Sequence, residues 1–90
     1  MLTIYSKNQC PYCVNAVRYL REHQIQFQEI KIDQDESARQ FVTERGHRTV
    51  PQIYHGDDLL VEGGWEGLSK LSPSEIRDRI SVREHNLGTL

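Results

Sequence analysis

The chain has 90 residues, a formal charge of −2 from 11 Lys and Arg against 13 Asp and Glu, and 37% hydrophobic residues. That length suits one small domain, and that balance excludes a disordered chain and a basic nucleic-acid binder. No apolar run approaches the roughly 20 residues a membrane helix requires. Nothing at the N-terminus has the basic-then-apolar layout of a secretory signal, so a cytoplasmic protein without membrane or nucleic-acid partners is expected.

Leu2-Thr3-Ile4-Tyr5 reads as a short apolar strand. Ser6 to Gln9 is polar and leads to Cys10-Pro11. Proline suits the first turn of a helix, so Pro11 marks a helix start with Cys10 at its N-cap. Cys13, Ala16, Val17 and Leu20 recur at i, i+3, i+4 and i+7, the buried stripe of a helix reaching about His23. Arg18, Arg21 and Glu22 fall on its wet side. A second strand covers about Gln28 to Ile32. The acidic run Asp33 to Glu36 suits the start of a second helix, whose stripe of Ala38, Phe41 and Val42 stops at Gly46.

Thr49 to Tyr54 reads as extended, because the residue before Pro51 is pushed out of the α region. His55-Gly56-Asp57-Asp58 reads as a four-residue turn into a strand at Leu59 to Val61, which ends at Gly63-Gly64. Trp65, Leu68 and Leu71 face inward from a short helix. Ser72-Pro73-Ser74-Glu75 has capping-box spacing, with Ile76 and Ile80 behind it. Residues from about Glu84 to Leu90 are expected to fray. The order β-α-β-α-β-β-α implies a right-handed parallel crossover followed by an antiparallel hairpin. Helices then cover both faces of a small mixed four-stranded sheet.

Cys10 and Cys13 are the only cysteines. A disulfide-dense secreted scaffold is therefore excluded. A bridge across so short a loop adds little stability, so the pair points to chemistry. A free cysteine has a pKa of about 8.5, and helix N-termini or nearby cations lower it. Cys10 lies where helix N–H groups point outward, outside the core, and Lys7 is near enough to add charge. Cys10 is thus the candidate nucleophile. Cys13, one turn inside, is the candidate resolving thiol. The four histidines lack zinc-ligand spacing, so no metal is expected.

Three motifs in order resemble the dithiol class of glutaredoxins, which have the α/β thioredoxin fold. They are Ser6-Lys7-x-x-Cys10-Pro11-Tyr12-Cys13, then Thr49-Val50-Pro51-Gln52-Ile53-Tyr54, then Gly63-Gly64 before a short helix. The resemblance runs from Leu2 to about Leu71 and implies a glutaredoxin-like domain over residues 1–83, with 84–90 as the tail. It implies a cis bond at Pro51 that exposes the Val50 backbone to pair, strand-like, with a peptidic thiol.

It also implies glutathione as co-substrate. Lys7 and Arg48, assisted by Gln40, would meet the glycyl carboxylate, and Tyr12 would pack along the tripeptide. Thr49, Val50 and Pro51 would form one wall. Gly64 allows close approach, and the N–H groups of Trp65 and Glu66 suit an anion. Trp65-Glu66-Gly67 departs from the family pattern of a small or aromatic residue followed by Asp, Ser or Thr and then Asp. Gly67 offers no side chain to glutathione.

The implied activity is reduction of protein disulfides and glutathione mixed disulfides, with ribonucleotide reductase among the implied partners and a monomer as the expected state. A glutaredoxin-like electron donor recharged by thioredoxin reductase is the alternative. An iron–sulfur cluster carrier is the third reading, and the resemblance implies that Pro11 disfavours it.

Overall fold

Five consecutive buried residues make β1 (Leu2–Ser6) an interior strand. A strand covered on both faces reads as a continuous apolar run, which is what Leu2 to Tyr5 supplies. In the computed structural model, which describes residues 1–88, β1 lies between β2 (Phe27–Lys31) and β3 (Gln52–His55), and β4 (Asp58–Leu59) closes the far edge. β1 pairs with β2 in parallel and with β3 antiparallel, and β3 pairs antiparallel with β4. The sheet is the expected mixed, four-stranded one of a thioredoxin fold. β2 sits one residue earlier than expected, but Ile32 stays tied in, its N–H donating to the Ser6 carbonyl at 2.8 Å.

The hairpin turn is shorter than expected. His55 pairs with Asp58, so Gly56 and Asp57 alone make the turn. Gly56 has φ +65°, the left-handed region that the first central residue of a type II′ hairpin requires. Strand β4 then stops at Leu59 rather than running to Val61. Leu60 remains buried, its N–H donating to the Ile53 carbonyl at 2.9 Å.

Side-chain alternation sends the strands' residues to two cores. On one face, Leu2, Ile4 and Ile53 pack with Ala16 and Leu20 of α1 (Pro11–Glu22), Leu68 of α3 (Gly64–Ser69) and Ile76 of α4 (Pro73–Gly88). On the other, Tyr5 and Tyr54 pack with Ala38 and Val42 of α2 (Glu36–Glu44), and Phe41 stacks on Tyr5 at 5.1 Å. Helices thus cover both faces. Asp35 caps α2, its Oδ1 accepting from the Ala38 N–H at 3.0 Å.

The final helical stretch is two helices. Ser72 starts the second by reciprocal capping: its Oγ accepts from the Glu75 N–H and its own N–H donates to Glu75 Oε1, both at 3.1 Å. Most of the segment expected to fray, 84–90, falls within the last helix. Helix α4 continues to Gly88, since no proline or glycine interrupts the chain between Pro73 and that residue. Residues 89–90 lie outside the described residues.

Candidate active site

The loop from β1 to α1 turns sharply at Gln9, whose φ of 57° is left-handed. Cys10 follows in extended backbone as the N-cap of α1, and Pro11 takes the first helical position, where it forfeits no helix hydrogen bond. Cys10 Sγ accepts from the Cys13 N–H at 3.2 Å. The helix start therefore directs an N–H at the sulfur, as it would at a thiolate. Cys10 and Cys13 are joined in a disulfide.

The expectation of an outlying Cys10 is corrected. Cys10 is 8% exposed and Cys13 2%. The bond to Cys13 and the Val50 carbonyl, 3.8 Å from Cys10 Sγ, cover the outer sulfur. That last contact is no hydrogen bond while the disulfide stands, because a bridged sulfur carries no proton.

The Val50–Pro51 bond is cis, as the resemblance implies. Tyr12, Thr49, Val50, Pro51, Gly64, Trp65 and Glu66 come together around one groove of about 460 Å³. Gly63, the first glycine of the third motif, and Ser69, which the sequence did not single out, also line it. Tyr12 is 63% exposed and stands at the rim. Trp65 has two roles: it lines the groove and packs on the core edge-to-face with Tyr19, ring centroids 5.9 Å apart. Gly64 lies against Pro51 so tightly that any Cβ would meet the Pro51 carbonyl oxygen at 2.6 Å.

Gly67 has a packing explanation. A side chain there would collide with the carbonyl of Glu62 and the Cγ2 of Val61. The residues leading into α3 lie directly against Gly67, so the absence of a side chain serves backbone approach. Among the described residues, Glu66 is the one charged side chain lining the groove. Its Oε1 lies 3.6 Å from Lys70 Nζ in an exposed i,i+4 pair, an interaction too weak to hold it from a ligand.

The expected cations are not among the residues lining this groove. Lys7 lines a separate depression of about 410 Å³ that contains both cysteines together with Asn8, Glu29 and Lys31. Gln40 and Arg48 are exposed and line neither. Gln40 is on α2, which packs by Ala38 and Val42 against the opposite sheet face, and Arg48 lies in the loop before β3. Lys31, which sequence reasoning missed, donates to Asn8 Oδ1 at 2.8 Å, while Asn8 N–H donates to Asp33 Oδ2 at 3.2 Å. Parallel pairing of β1 with β2 brings Lys31 opposite Ser6, and only that register reveals its place beside the cysteines.

A dithiol at a helix mouth, faced by a cis-proline strand on a mixed four-stranded sheet, defines a thiol–disulfide oxidoreductase of thioredoxin fold. The glutaredoxin family pattern matches residues 2–60, and the chain belongs to that family. It is 42% identical over 63 residues to the glutaredoxin-like protein NrdH of Lactococcus lactis subsp. cremoris, covering 70% of this chain and 86% of that one. Glutaredoxin 1 of Francisella tularensis, solved with cacodylate, is 36% identical with a TM-score of 0.61, covering 76% of this chain and 86% of that one. The buckwheat glutaredoxin–glutathione complex shares the fold at TM-score 0.70 and 22% identity, over 89% of this chain and 76% of the other.

Proposed function

We propose that this protein is a glutathione-dependent thiol–disulfide oxidoreductase acting on protein disulfides and glutathione mixed disulfides. The observation that carries this reading is the Val50 carbonyl 3.8 Å from Cys10 Sγ, beside a groove that Val50 lines together with Gly64, Trp65 and Glu66. An extended cysteinyl peptide lying there offers its sulfur to Cys10 while its backbone pairs with Val50.

The cycle conserves atoms and electrons. Cys10 thiolate attacks one sulfur of the substrate disulfide, that bond breaks, and the departing thiolate takes a proton. Cys13 loses its proton and attacks the Cys10 sulfur of the mixed disulfide. The second substrate thiol leaves, the Cys10–Cys13 disulfide forms, and two electrons have passed to the substrate. Two glutathione molecules then restore the dithiol, the first forming a mixed disulfide on Cys10 and the second leaving with it as glutathione disulfide. With a glutathione mixed disulfide as substrate, Cys10 alone accepts the glutathionyl group.

A second reading has a specific observation in its favour. Among the described residues, the groove lining contains a carboxylate, Glu66, and no cationic side chain. The L. lactis relative is named as NrdH. On that reading the dithiol is recharged by thioredoxin reductase and donates electrons to a disulfide enzyme such as ribonucleotide reductase. NADPH consumption separates the two. Turnover with glutathione and glutathione reductase is the expected result; turnover with thioredoxin reductase alone would replace the first reading by the second.

A further inference from the structure

We propose that the groove between α1 and the outer edge of β2 docks an acidic segment of the disulfide-bearing protein substrate. The inference rests on the oxidoreductase reading above. This groove, of about 620 Å³, is a different surface from the cis-proline groove and shares no lining residue with it. It runs into the depression that holds Cys10 and Cys13, sharing Val14, Glu29 and Lys31 with it. β2 is the edge of the sheet on this side, and no strand of the described residues lies beyond it.

Charge selects the occupant. The whole chain is acidic at −2, yet Arg18, Arg21 and Lys31 line this groove against Glu22 and Glu29, and Lys7 adds a cation at its mouth. Glu29 accepts from Ser6 Oγ at 2.7 Å and keeps its charge, and Lys31 donates to Asn8 Oδ1 at 2.8 Å, so the lining holds three cations against two carboxylates, with Arg18 and Arg21 the cations not held by a hydrogen bond among the described residues. Arg18 is exposed with no hydrogen-bond or ion-pair partner among the described residues. Arg21 has a ring for its neighbour, its guanidinium carbon 5.9 Å from the Phe27 centroid. Val14, 54% exposed, gives the segment an apolar contact between the cations and the disulfide.

Helical rise sets the spacing. From Cys10 to Arg21 the axis advances about 16 Å at about 1.5 Å per residue. An extended peptide covers that distance in about five residues. The acidic side chains of the substrate should therefore fall within about six residues of its reacting cysteine. Rim charges of this kind act chiefly on encounter and partner choice.

The test uses the oxidised protein and a fluorescein-labelled peptide whose cysteine is replaced by serine, with glutamates three to six residues away. Anisotropy should show at least tenfold tighter binding than for the same peptide with lysines, and the preference should shrink as salt is added. Arg18→Glu with Arg21→Glu should weaken the glutamate peptide about tenfold while leaving turnover of bis(2-hydroxyethyl) disulfide unchanged. Arg18→Gln should give a smaller loss in the same direction. Equal affinity for the two peptides, or no effect of the arginine variants, overturns the proposal. So does concentration-dependent dimerisation abolished by Arg18→Glu, which would seat a second copy in the groove. Failure of the wild type to reduce the small disulfide would instead overturn the oxidoreductase reading, and the peptide titration would still judge the docking site.

Discussion

Gly64 lies so close to Pro51 that a Cβ on the glycine would stand 2.6 Å from the proline carbonyl oxygen. The two residues line the cis-proline groove side by side. Gly64 also has φ +58°, a conformation that costs other residues about 1 kcal/mol or more. Its substitution should therefore open the groove as well as strain the loop. Gly64→Ala is expected to lower kcat/KM for a glutathione mixed disulfide by about tenfold, a loss of about 1.4 kcal/mol in transition-state binding. Steady-state kinetics beside a thermal melt measure both effects, and a normal kcat/KM would separate Gly64 from substrate.

Gly67 should behave differently. A side chain at this position meets Glu62 and Val61, not the groove. Gly67→Asp, which brings the chain nearer to the glutaredoxin pattern, should destabilise the fold by about 1–3 kcal/mol through overpacking. Urea unfolding measures the loss. Tighter glutathione binding at unchanged stability would show that the glycine is there for the ligand.

Lys7 lines the depression containing both cysteines. An ammonium beside a cysteine favours the thiolate over the thiol. In Lys7→Gln the pH profile of Cys10 alkylation by iodoacetamide should move to higher pH. An unmoved profile would assign the activation to the helix start alone, through the Cys13 N–H that reaches Cys10 Sγ.

The cap of α4 carries a pH dependence. Hydrogen bonds from the Ser72 backbone and hydroxyl hold the Glu75 carboxyl below its ordinary range. A carboxyl lowered in the folded state contributes its stability above the ordinary carboxylate range and loses it as pH falls through the folded value. Thermal melts should therefore fall more steeply in acid for the wild type than for Glu75→Gln. Ser72→Ala should cost about 1 kcal/mol at neutral pH through loss of the cap.

The features legible in the sequence are those whose causes are local. Pro11 at the first turn, Ser72 three residues before Glu75, and the Cys13, Ala16 and Leu20 stripe all act within one or two helical turns. The two-residue turn at Gly56-Asp57 was hidden because His55 and Asp58 read as turn residues until their pairing is seen. Partnerships across the fold were also hidden. Lys31 meets Asn8 through strand register, and Arg79 reaches the Leu60 carbonyl at 2.7 Å across a helix and a loop. At the site, Tyr12, Val50 and Gly64 could be placed because each lies in a motif. Arg48 and Gln40 lie outside both linings, a position set by how α2 and its following loop pack.

The central claim is an unequal dithiol, with Cys10 attacking and Cys13 resolving. Turnover of a glutathione mixed disulfide by Cys10→Ser and Cys13→Ser tests it most directly. Cys10→Ser should have no activity, while Cys13→Ser should retain it, since that reaction uses a single thiol. Equal loss in both variants, or activity surviving in Cys10→Ser, would contradict the assignment.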